Sequence, residues 1–212
     1  MKKNILLLAA GVLCLVACQP KEAKEKPIEK PQVAVQDGRF TPEVMWSLGV
    51  MSEYAVSPDG SQVLYTLRYT DMEQNKNNTE LYLMPAEGGE AVRLTKTAAS
   101  EFSPVWYDDN TIMFCRGGEI LSMNLNTKKE SKVAECERGF EGFKVAPDGK
   151  SLVYISTIPV ERPEHLEKLY AGLDKTTGRI NEDLMYRHWD NWVDEIPQIY
   201  WVPLENGKAQ MD

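Results

Sequence analysis

Histidine is nearly missing from this chain, with two in 212 residues, His165 and His188. Imidazole is the commonest general base and metal ligand, and neither ring stands near a Cys-x-x-Cys or Cys/His pattern, so no metal site is expected. Cysteine is scarce too: four residues, at positions 14, 18, 115 and 136. No serine occupies a Gly-x-Ser-x-Gly setting, which the strand-to-helix nucleophile elbow of an α/β-hydrolase requires. A glycine-rich phosphate cradle is also lacking. The sequence therefore assigns no catalytic residue, no cofactor and no metal.

Basic charge is in deficit. The chain has 24 Lys and Arg against 32 Asp and Glu, a formal charge of −8 and a pI near 5.0. Nucleic-acid binders need a basic face that releases counterions, so nucleic acid is excluded as an expected partner. Long apolar runs are missing apart from one, Ile5 to Val16, which follows the basic Met1-Lys2-Lys3. As helix it would rise roughly 18 Å, short of a ~30 Å hydrocarbon core, and it reads as an export signal rather than a permanent span. An apolar content of 42% is nonetheless enough to build a core.

The run closes on Leu15-Val16-Ala17-Cys18, which resembles the bacterial lipobox, whose cysteine is lipidated and becomes the new N-terminus. Cys18 is the expected lipidation site, and the expected location is the bacterial envelope, on the periplasmic or surface side of the outer membrane. The partner at this end is the membrane, through the lipid. Residues 18–38 are rich in Lys, Glu and Pro, with no apolar period, and read as a disordered linker. The expected division is a signal peptide at 1–17, this linker at 18–38, and a folded region at 39–212.

The folded region is organised by a turn, Ser57-Pro58-Asp59-Gly60, before the apolar run Val63-Leu64-Tyr65-Thr66. Proline presets φ, aspartate bonds the backbone two residues on, and glycine takes φ > 0. The phrase returns at Ala146-Pro147-Asp148-Gly149, and in altered form from Ser103-Pro104 to Asp109-Asn110. The spacing matches the roughly 40 to 50 residues of a four-stranded propeller blade. The predicted fold is all-β, a partial β-propeller of about three four-stranded blades over 41–97, 98–138 and 139–212, the third incomplete. Thr70 to Thr79 reads as a polar loop, and Pro159 to Met185 as an insertion with a short helix over 163–171. Cys115 falls on a second strand and Cys136 at the end of a fourth. Strands two apart lie roughly 9.6 Å from each other, beyond the ~7 Å limit for a bridge, so two buried free thiols are expected.

These hairpins, the Asn75-Lys76 loop leading into Glu80-Leu81-Tyr82-Leu83, and above all Arg187-His188-Trp189-Asp190-Asn191-Trp192 resemble the N-terminal propeller of prolyl-oligopeptidase-family serine peptidases, nearest the dipeptidyl-peptidase and acylaminoacyl-peptidase branch. The likeness runs from about Thr41 to Asn206. It implies a propeller that caps a catalytic α/β-hydrolase domain and restricts access to short peptides. That domain is not in this sequence, so the chain reads as truncated before it and inactive alone. Arg187, His188, Trp189, Asp190 and Trp192 are then candidate channel or interface residues. The alternative for them is structural, with the tryptophans packed between blades and Arg187 and Asp190 as a polar anchor. An alternative for the whole chain is a non-catalytic, TolB-like binding or scaffold propeller.

Overall fold

The computed structural model describes residues 26–161, 165, 168, 172 and 192–211. A six-residue helix, α1 (Pro42–Ser47), comes first, capped by Thr41, whose hydroxyl accepts the Val44 N–H. Proline within its first turn costs nothing, because the N–H it lacks has no helical acceptor there.

Three antiparallel sheets follow, each with four strands in chain order. The first holds β1 (Val50–Val56), β2 (Gln62–Asp71), β3 (Lys76–Pro85) and β4 (Val92–Arg93). The second holds β5 (Glu101–Asp108), β6 (Thr111–Arg116), β7 (Glu119–Asn124) and β8 (Glu130–Glu135). The third holds β9 (Gly142–Val145), β10 (Ser151–Pro159), β11 (Glu195–Glu205) and β12 (Lys208–Ala209). The third sheet thus reaches a fourth strand, though one of two residues.

Strand β6 shows how the sheets stack. Ile112 and Phe114 bury against Leu64 and Leu81 of the first sheet, while Met113 and Cys115 pack with Phe143, Leu152 and Tyr154 of the third. Alternate side chains of one strand therefore serve two cores, which is why Ile112-Met113-Phe114-Cys115 is apolar without interruption. First strands meet first strands, since β5 touches both β1 and β9, and β8 touches β12. Consecutive meanders stacked face to face with their first strands together are blades of a β-propeller.

The first blade's outward face is half-covered, with Tyr69 buried and Tyr65 and Leu67 half-buried, whereas one face of the third carries exposed apolar side chains. On the third, Val153 pairs with Trp201 and Ile155 with Ile199, and Ile199 is 78% exposed and Trp201 64%.

Several expectations change. Pro104 is not a turn residue: it lies buried inside β5, and the turn matching Pro58-Asp59 and Pro147-Asp148 is Asp109-Asn110. The proline spacing was therefore partly coincidental. Thr70 to Thr79 is no loop, because β2 and β3 stay paired as far as Asp71 and Lys76. The Thr70 hydroxyl donates to Asn77 across the ribbon, and Asp71 accepts the amides of Glu73 and Gln74 to close the turn. Both cysteines are free, but only Cys115 is buried; Cys136 sits just past β8, half-exposed, its sulfur 3.5 Å from the Ser156 hydroxyl.

The expected insertion lies mostly outside the described residues; within them, His165 and Lys168 are helical. Its two ends are held together by β10–β11 pairing out to Pro159 and Glu195 and by Val160 N–H donating to Asp194 C=O at 2.8 Å.

Candidate functional site

A cavity of about 470 Å³ opens where the three first strands converge. Its walls come from β1 at Ser52, Glu53 and Tyr54, from β5 at Ser103 and Pro104, and from β9 at Gly142 to Lys144, with Val153, Ile155 and Ile199 of the third sheet forming an apolar side.

Two irregularities aim the polar groups. The register of β1 on β2 slips between Met51 and Tyr54, and that of β5 on β6 between Phe102 and Val105. Such bulges redirect side chains that a regular pleat would send to alternate faces. In the slip of β5, Ser103 takes a left-handed backbone with φ 51°, which costs a residue with a Cβ about 1–2 kcal/mol. The facing slip compensates: the Ser103 N–H donates to Glu53 Oε2 at 2.9 Å, and the Glu53 N–H donates to Thr66 Oγ1 at 3.0 Å. The approach opposite is close: a Cβ on Gly142 would lie 3.1 Å from Ser103 Oγ, which would have to give by a few tenths of an ångström.

Glu53 is the fixed negative charge of the site. Burial pushes the nearby Cys115 thiol up to about 12, with the Glu53 carboxylate adding to the rise, so that sulfur stays protonated and is no nucleophile at neutral pH. Lys144 supplies an exposed ammonium on the β9 wall. The lining thus brings one carboxyl, one ammonium and the side chains of Ser52, Tyr54, Ser103 and Tyr154, each with a hydroxyl, to an apolar wall. Among the described residues no group of three His, Cys, Asp or Glu is placed to hold a metal ion.

Of the residues singled out by sequence, Cys18, Arg187, His188, Trp189 and Asp190 lie outside the described residues. Trp192 is half-buried ahead of β11 and does not line the cavity. Glu53, Ser103 and Lys144 were missed. The one signal for them was Ser52-Glu53, a polar pair that breaks the alternation of an otherwise apolar strand.

No family model matches the chain. Curated relatives do. It is 35% identical over 211 residues to dipeptidyl-peptidase 5 of Porphyromonas gingivalis, a match covering 97% of this chain and 29% of that protein. It is 29% identical over 223 residues to dipeptidyl-peptidase 5 of Porphyromonas endodontalis, covering 100% of this chain and 32% of the relative. The chain spans about a third of the length of the curated relatives it matches. Among solved structures, Pyrococcus horikoshii acylaminoacyl peptidase superposes with a TM-score of 0.57 at 17% identity, over 79% of this chain and 25% of that one. The AtxE2 isopeptidase gives 0.53 at 16% identity, over 82% and 32%. Those two likenesses speak to the fold, and the sequence match to kinship: over nearly its whole length the chain is a homologue of part of dipeptidyl-peptidase 5, with the fold of the propeller region of prolyl-oligopeptidase-family peptidases.

Proposed function

We propose that this chain is the access-controlling propeller portion of an exported, lipid-anchored serine exopeptidase that releases dipeptides. The single observation that carries the reading is the 35% identity with dipeptidyl-peptidase 5 across 97% of the chain. The cavity is consistent with it, because a space lined by the first strands of successive blades lies on the axis along which a peptide would pass. In this reading the serine, histidine and aspartate belong to an α/β-hydrolase domain, and the blades hold long or folded chains away from it. Cys18 is the lipid attachment point, and the segment after it spaces the enzyme from the membrane.

A chimera tests the proposal. Residues 26–212 replace the matching region of the Porphyromonas gingivalis protein, and the purified chimera is assayed with a fluorogenic dipeptide. Cleavage at a rate within tenfold of the parent is expected. A chimera that folds, by circular dichroism and a cooperative melt, yet leaves the reporter intact would contradict the assignment and favour a binding propeller without catalysis.

A further inference from the structure

Residues 26–33 form neither strand nor helix, yet they lie against the first blade. Pro27, Ile28 and Pro31 are half-buried there, and Glu29 is held at both of its carboxylate oxygens. Arg93 of β4 donates from Nη1 to Glu29 Oε2 at 2.8 Å and from Nη2 to the Ile28 carbonyl at 3.2 Å. Lys96, just past β4, meets Glu29 Oε1 at 2.6 Å. Together with α1 and the tip of the β2–β3 hairpin, the segment walls a second cavity, of about 580 Å³, into which Trp46 and Met72 contribute.

An exposed ion pair usually contributes little, because two long side chains must be ordered to make it. Here one of them is already in place. Arg93 is 19% exposed, its Nε donates to the Thr95 carbonyl at 2.9 Å, and its Nη2 donates to Oε1 of the buried Glu80 at 2.9 Å. Joining Glu29 to this fixed guanidinium therefore immobilises one side chain rather than two. The charges also balance, with Arg93 and Lys96 facing Glu80 and Glu29. On the other side of the contact, Pro27 and Pro31 restrict φ and so reduce the conformational freedom that docking removes. Because open space separates much of the segment from α1 and the hairpin, the attachment rests on Glu29 and the Ile28 carbonyl.

We propose that residues 26–33 are a strap, buckled at Glu29, that fixes the point at which the membrane tether leaves the first blade. The inference rests on the reading of Cys18 as the lipid site. With the strap closed, only residues 19–25 separate that cysteine from Lys26, and at full stretch they reach about 28 Å. A chain free as far as Thr41 would reach about 80 Å. The strap thus keeps the first blade close to the bilayer and sets the rim, between α1 and the β2–β3 hairpin, from which the propeller hangs.

Nitrogen-15 relaxation on the full chain reads the buckle directly. The backbone order parameters of Ile28, Glu29 and Lys30 are expected near about 0.85, as in rigid backbone, and are expected to fall below about 0.6 in Glu29→Gln and in Lys96→Ala. Both substitutions change exposed side chains and leave Arg93 on Glu80, so the amides of β2 and β3 should keep their natural values and serve as the reference. Lys30→Ala, which leaves the Glu29 contacts in place, should keep the strap ordered. Values below about 0.6 in the natural chain, or values that neither Glu29→Gln nor Lys96→Ala lowers, would overturn the proposal. An unacylated Cys18 in the mass of the exported protein would instead overturn the anchoring reading, a failure that these amides do not register.

Discussion

Ser103 is asked to do two things at once, to sit with φ at 51° and to present its amide to Glu53. Replacing it by glycine relieves about 1–2 kcal/mol of backbone strain but adds roughly 0.5–1 kcal/mol of chain entropy to the unfolded state, so the two nearly cancel. Ser103→Gly is therefore expected to fall within about 1 kcal/mol of the natural chain in urea unfolding, whereas Ser103→Val, branched at Cβ, loses about 2 kcal/mol or more. Equal stabilities for glycine and valine would show that the left-handed backbone is not there. At Asp59 the cause is a hydrogen-bond cage: bonds from the Ser57 hydroxyl, the Ser61 amide and the Ser61 hydroxyl hold its carboxyl down at about 2, from 3.8. A lowered carboxyl contributes stability that is present above 3.8 and lost as pH falls through about 2. Asp59→Ala should thus lower the melting temperature at pH 7, and the gap should close progressively as pH drops through that window; a gap independent of pH would refute the cage. The aspartate was legible as a turn residue from its place before Gly60. The serine was not, because its conformation is set by a facing strand far away in sequence.

Strands explain where reading the sequence worked and where it failed. The turns at Ser57-Pro58-Asp59-Gly60 and Ala146-Pro147-Asp148-Gly149 could be placed because each residue has a local conformational reason to be there, and Gly60 and Gly149 do take positive φ, 74° and 68°. Pro104 misled because proline in a strand is legible only through pairing. The ribbon from Thr70 to Thr79 was hidden for a related reason: its ladder is long and its outer end polar, so hydrophobic alternation fades before the hydrogen bonds do. Helix α1 went unread although Thr41-Pro42 begins like a capped helix, since six residues hold too little periodicity. The strand that holds the blades together is β6, whose Phe114 is fully buried, and truncating it should show this. Phe114→Ala is expected to cost about 3–5 kcal/mol, measured by urea unfolding, because the cavity opens between two sheets that cannot both collapse into it. A loss below about 1 kcal/mol would mean that the first and second blades do not share a core.

At the scale of the molecule, three blades bring their first strands to one cavity, and the outer face of the third displays Trp201 and Ile199 to solvent. The family was legible in the sequence through its hairpins and its Arg187 to Trp192 stretch, even though most of that stretch lies outside the described residues, because recognition needs only the order of residues. The cavity was not legible, because it exists only where β1, β5 and β9 meet. Control of access is the central claim, and the most direct measurement compares kcat/KM of the chimera for a reporter dipeptide with that for the same dipeptide at the head of a long, folded polypeptide. The account predicts efficient cleavage of the short substrate and almost none of the long one, with the preference lost when the first blade is deleted from a chimera that still folds. Equal cleavage of both substrates by the intact chimera would contradict it.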